Sequence, residues 1–109
     1  MSGARLTAGL WVHAYRHRLG LAGIPVYVAA KGDPTAGAVL VKVARMNGEA
    51  QLYGRELTAA GRAWTLLRDG AEGEIDDAVT RQRGFDPDLW VLEIEDAAGR
   101  HLLDEPGLD

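Results

Sequence analysis

The sequence predicts an α+β fold in two layers, a twisted, mostly antiparallel sheet of five to six strands with two helices on one face. Three observations predict it. Asn47-Gly48 stands between two alternating apolar stretches, a strong short-range signal of a β-hairpin. Apolar residues recur at helical spacing in two segments, about 8–21 and 71–83. Leu89 to Glu95 alternates, with Trp90, Leu92 and Ile94 on one side and Val91, Glu93 and Glu95 on the other.

In chain order, one domain of residues 1–109 is expected, with 1–5 and 104–109 loosely ordered. Thr7 is placed to cap a helix from about Ala8 to Leu21, and Leu6 and Trp11 have the spacing of a hydrophobic staple. Gly20 or Gly23 ends that helix. Pro25 opens a strand, Val26 to Lys31. The hairpin follows, its first strand Ala38 to Ala44 and its second running to Leu57. With Asn47 and Gly48 as a two-residue type I′ loop, Val43 faces Leu52, Lys42 faces Tyr53 and Leu40 faces Arg55. That register puts Val39, Val41, Val43 and Leu52 inward, and Leu40, Lys42, Gln51, Tyr53 and Arg55 outward. Ala63 to Arg68 reads as another strand, and Asp69 as a possible cap for a helix from about Ala71 to Arg83. Acids in its first half, Arg81 and Arg83 in its last turn and Gly84 as a stop fit the helix dipole. After the turn Asp86-Pro87-Asp88 and the Leu89–Glu95 strand, Asp96 to Gly99 suggests a hairpin loop and Arg100 to Leu103 a short edge strand.

Composition excludes several functions. The chain has 109 residues and no cysteine, which rules out disulfides, thiol catalysis and cysteine-ligated zinc. No stretch approaches the roughly 20 apolar residues of a membrane span. Arg16, His17 and Arg18 interrupt the first apolar run, so no secretory leader is read and a cytoplasmic location is expected. A net charge of −4 argues against general nucleic-acid binding. The charge is uneven, since residues 1–32 carry four bases and no acid. Ser2 is the only serine and lies at the chain end, a poor place for a nucleophile.

The candidate sites each have an ordinary counterpart. Gly32 and Gly37 are spaced as in a phosphate-binding loop, but Ala38-Val39 replaces the Lys-Ser/Thr pair and a strand follows instead of a helix. A simpler anion cradle would use Lys31, Gly32, Asp33, Thr35 and Gly37, joined by Arg18 or Arg55 from elsewhere in the fold. The plainer reading of Gly-Asp-Pro-Thr is a turn in which Asp33 accepts from onward amides. Arg18 lies within the apolar arc of the first helix, where it either snorkels or reaches a carboxylate. His13 and His17 are four apart, yet two ligands flanked by Arg16 and Arg18 make no metal site, and neither metal nor cofactor is expected. Lys42, Tyr53, Arg55, Glu93 and Glu95 would share the outward sheet face, as acid–base machinery or as a solvated face of ion pairs. No residue stands out as catalytic.

Four stretches carry a family resemblance: Arg5-Leu6-Thr7-Ala8-Gly9-Leu10-Trp11-Val12, Gly32 through Lys42, Phe85-Asp86-Pro87-Asp88-Leu89-Trp90-Val91, and Gly99 through Pro106. Together they resemble the domain of unknown function 1491 family, small proteins of alphaproteobacteria. The resemblance spans nearly the whole chain and implies a free-standing bacterial cytoplasmic domain, with no functional residue to carry over. The resulting expectation is a non-enzymatic binding or protein-interaction domain, with a protein partner or self-association through a sheet edge or the mixed face. The alternative is a small enzyme or anion-binding protein using the Lys31–Gly37 loop and the charged sheet face.

Overall fold

The computed structural model describes residues 6–108. The expectation for residues 1–5 lies outside the described residues, as does Asp109. The elements are α1 (Ala8–Leu21), β1 (Val26–Ala30), β2 (Val39–Ala44), β3 (Glu49–Thr58), β4 (Gly61–Ala71), α2 (Glu72–Phe85) and β5 (Trp90–Glu95). The five strands form one sheet in the order β1-β5-β2-β3-β4. Every neighbouring pair is antiparallel except β2 and β5. The α+β class and the mostly antiparallel sheet agree with the sequence reading.

α1 has the bounds its sequence predicts because its ends are built from local chemistry. Thr7 Oγ1 accepts from Leu10 N at 3.3 Å. The carbonyls of Thr35 and Pro34 accept from Ala8 N (3.1 Å) and Gly9 N (2.8 Å), so the loop before β2 completes the cap. At the other end Gly23 takes φ +73°, Gly23 N donates to Gly20 O and Ile24 N to Leu19 O, and the apolar pair Leu19 and Ile24 is buried.

The hairpin register differs by one residue from expectation. Val43 pairs with Gln51, Lys42 with Leu52, Val41 with Tyr53 and Leu40 with Gly54. The loop holds three residues, Met46 to Gly48, closed by Arg45 N donating to Glu49 O at 2.9 Å. Met46 (φ 64°) and Gly48 (φ 89°) take the left-handed positions, while Asn47 Oδ1 accepts from Glu49 N at 3.0 Å. Asn47 therefore serves as an Asx turn, not as half of a type I′ pair. A one-residue slip moves every β3 side chain to the other face. Leu52 lies beside Lys42, and Gln51, Tyr53 and Arg55 share the face of Val41 and Val43.

The helices lie on opposite faces, not on one as the sequence suggested. α1 packs Trp11, Val12, Tyr15 and Leu19 against Val41, Val43, Trp90, Leu92 and Ile94. α2 packs Ile75, with Val79 at the margin, against Leu40, Ala50, Leu52 and Val91. The reason is the crossover. β4 runs parallel to β5, and α2 carries the chain back over β3 and β2, so it must cover the face that α1 leaves open. β2 and β5 are consequently buried on both sides.

Smaller expectations also change. Asp69 does not cap α2, since it lies in β4 and accepts from Gln51 Nε2 at 3.2 Å. The first α2 amide, Glu72 N, donates instead to Gly48 O in the hairpin loop at 2.9 Å. Gly84 does not stop the helix, which runs on to Phe85. Residues 100–103 make no edge strand. Asp96 accepts from Arg100 N, Nε and Nη2, and Leu102 turns at φ 57°. Residues 104–108, expected loose, run back along α1. Arg18 Nη1 donates to Pro106 O at 3.0 Å and Trp11 Nε1 to Leu108 O at 3.2 Å.

Candidate functional site

β3 and β4 run on past the start of β2, and this overhang leaves a notch between their ribbon and the first turn of α1. The notch encloses about 480 Å³. Thr35 to Ala38 form one wall, Thr7 and Trp11 of α1 another, and Arg55, Arg62 and Trp64 of the ribbon the third. β3–β4 pairing places Arg55 directly opposite Trp64. The Arg55 guanidinium lies 5.1 Å from the Trp64 ring and 5.3 Å from the Trp11 ring, and the two indoles are 5.1 Å apart. Such cation–π contacts fix the arginine over a flat apolar wall. Trp11 is held in turn by stacking on Tyr15 at 4.7 Å. Trp64 Nε1 is buried without a hydrogen-bond acceptor among the described residues.

Of the loop residues singled out from sequence, Thr35 and Gly37 reach this notch together with Arg55. The others do not join them. Arg18 lies in the last turn of α1 against Pro106, and Lys31 is exposed before the loop. Asp33 Oδ2 accepts from Thr35 N (3.2 Å) and Ala36 N (2.8 Å), and Asp33 O accepts from Gly37 N and from Trp90 Nε1. Gly32 and Gly37 stand where the loop meets β5. A Cβ would come 2.1 Å from Asp88 O at Gly32 and 2.3 Å at Gly37. These glycines are there for close backbone approach, and the loop amides are engaged within the turn.

Sequence reasoning missed Trp11, Trp64 and Arg62 as site residues. Trp64 was placed only within the Ala63–Arg68 strand, and the shifted register had placed Arg55 beside Lys42 on the other face. The alternation of Arg62 and Trp64 along β4 was the available signal.

The expected charged face is split in two. Tyr53 and Arg55 belong to the α1 side, while Lys42, Glu93 and Glu95 lie on the α2 side. Lys42 is 3 % exposed and its Nζ meets Asp76 at 2.6 Å, Glu72 at 2.7 Å and Glu93 at 3.4 Å. Burial pulls its ammonium down, but the bonds to Asp76 and Glu72 and the charge of Glu93 outweigh that and hold it above the usual lysine range. Tyr27 Oη donates to Glu93 at 2.6 Å, and that bond raises the phenol.

A titrating contact ties the C-terminal stretch down. His101 packs on Tyr53 at 4.4 Å, and its Nδ1 accepts from Leu103 N at 3.0 Å. Tyr15 Oη donates to the His101 carbonyl at 2.6 Å. Burial pushes the imidazole below the usual value near 6.5, against a smaller upward pull from Asp104. The unfolded chain therefore binds the proton more readily, so this stability is full above about pH 6.5 and is lost as pH falls below it. Thermal melts from pH 7.5 to 5 are expected to show that decline, and His101→Asn, which keeps an acceptor and removes the titration, is expected to flatten it.

The fold and notch together define a class, an α+β domain with a five-stranded mixed sheet between two helices and an aromatic–arginine recess at one end. The chain belongs to the family described as protein of unknown function DUF1491, whose model matches residues 6–104. It is similar to the crystal structure of a DUF1491 family protein from Caulobacter crescentus CB15, at 44% identity over 93% of this chain and 97% of that one, with a TM-score of 0.83. An NMR structure of a DUF1491 family protein from the same organism gives 44% identity, 95% and 97% coverage and 0.81. The solution structure of protein Atu0922 from A. tumefaciens gives 35% identity, 84% and 86% coverage and 0.71. No curated protein matches the chain. The family description assigns no function. Among the described residues no helix is long and apolar enough to cross a membrane.

Proposed function

We propose that the chain is a single cytoplasmic, non-enzymatic binding domain, and that its notch takes up a segment of a protein partner presenting a carboxylate beside an apolar side chain. The observation that carries this reading is the make-up of the notch, with Trp11 and Trp64 walling it, Arg55 over both rings and Arg62 on the same ribbon. Tryptophan and arginine are the residues on which interface energy concentrates. The buried Trp64 Nε1 has no acceptor among the described residues, and a partner carboxylate would supply one, a bond to a charged group contributing roughly 1.5–3 kcal/mol.

Two features favour binding over chemistry. The Asp33 carboxylate and the amides of Thr35, Ala36 and Gly37 are engaged in their own turn. Tyr53 and Arg55 lie across the sheet from Glu93 and Glu95, so the acid–base grouping of a small enzyme is not assembled.

The test is an array of short peptides pairing Asp or Glu with apolar neighbours, followed by affinity measurements on the strongest binder. Trp64→Phe keeps the ring but removes the N–H, and is expected to weaken binding roughly tenfold, while Trp64→Ala weakens it further. An array without a binder, or a binder indifferent to both substitutions, contradicts the reading.

A further inference from the structure

We propose that two copies of this chain pair through the outer edge of β4, antiparallel about a two-fold axis at Thr65. This edge shares Arg62 and Trp64 with the notch, but its test reads the oligomeric state and does not depend on any ligand.

Among the described residues the sheet order leaves β1 and β4 as its edges. β1 is five residues long and follows Pro25, features that blunt an edge. β4 is eleven residues long, contains no proline and exposes Leu66 at 48%. On the other face of the same edge, Leu67 and Phe85 line a shallow groove, and Phe85 is 87% exposed. A long, proline-free edge flanked by exposed apolar side chains is a template for strand addition.

The pattern of side chains along β4 selects a second copy as the occupant. The β3–β4 ladder carries a bulge, in which Tyr53 pairs with Leu66, Leu52 with Arg68, and Leu67 is the extra residue. Arg62, Trp64, Leu66 and Asp69 pair with Leu57, Arg55, Tyr53 and Gln51, so all four lie on one face. Counted through the bulge, they are evenly spaced about Thr65. In an antiparallel pair centred there, Arg62 meets the partner's Asp69, Trp64 meets the partner's Leu66, and the two Thr65 residues meet each other. The Arg62–Asp69 and Trp64–Leu66 contacts each occur twice and the Thr65 pair lies on the axis, which is the self-complementarity that a two-fold interface requires. Opposite charges, an aromatic–aliphatic pair and a threonine pair are each favourable cross-strand neighbours.

Charge reversal tests this pairing. Arg62 and Asp69 are both exposed, so Arg62→Asp and Asp69→Arg leave the core intact. Light scattering after size exclusion, from micromolar to millimolar, is expected to give the wild type twice the 11.7 kDa of one chain. Each single variant sets like charges against each other twice and is expected to dimerise at least roughly tenfold more weakly. Mixed together, the two variants regain both attractive pairs and form a heterodimer as tight as the wild-type dimer. Leu66→Lys, which cannot be rescued by mixing, is expected to stay monomeric. A wild type that remains monomeric at millimolar concentration leaves the edge to a foreign strand and overturns the proposal. A dimer that survives both single reversals, or variants that fail to combine, places any association elsewhere and overturns it equally.

Discussion

Lys42→Ala is expected to lose about 3 kcal/mol of stability in urea unfolding at neutral pH, a large fraction of what holds a domain of this size together. The substitution removes the cation that bridges Glu72, Asp76 and Glu93 among the described residues, and the stem that fills the space between α2 and the sheet. Breaking a buried pair costs 3–5 kcal/mol, because the remaining charge has lost its partner. The lower end applies, since Asp76 is more than half exposed and Glu72 about a third, and water screens them in the variant. Equal unfolding midpoints for the two proteins at neutral pH would show that α2 is not fastened through Lys42.

Gly32→Ala is the second large effect, about 3 kcal/mol or more. The added methyl would lie 2.1 Å from Asp88 O and 2.7 Å from Trp90 N, backbone atoms at the entry to β5 that cannot swing aside. Moving the loop outward breaks Asp33 N to Asp88 O and Trp90 Nε1 to Asp33 O, and withdraws the Pro34 and Thr35 carbonyls from the start of α1. A single methyl thus loosens β5, the loop and the helix cap together. Gly84→Ala is the control. Nothing lies within 4 Å of its Cβ and it sits inside α2, so helix propensity predicts a neutral or slightly stabilising change. Comparable melting of Gly32→Ala and wild type would mean that the loop does not seat on β5 as described.

What the sequence made legible follows the range of the interactions. α1 was readable to the residue because a threonine cap and a glycine stop act within one turn. The alternation of β2 correctly separated Val41 and Val43 from Lys42. The register of β3 failed on a single local choice, Asn47 as an Asx turn in a three-residue loop, and that choice carried Tyr53 and Arg55 across the sheet. The insertion of β5 between β1 and β2 depends on a crossover that no local pattern encodes. Its trace was the nearly unbroken apolar run of Leu89 to Leu92, burial on both faces that an alternation template reads as one. Thr35, Gly37 and Arg55, singled out from the sequence, line the notch, whereas Trp11 and Trp64 meet only once register and helix placement are known.

Amide and indole spectra of the labelled protein, recorded while the strongest array peptide is added, test the account most directly. Shifts are expected at the Trp11 and Trp64 indoles, at Thr35 to Ala38 and at Arg55, with the Trp90 indole, sealed beneath the loop, unmoved. Shifts centred instead on Lys42 and the α2 side, or spread evenly over the surface, would contradict it.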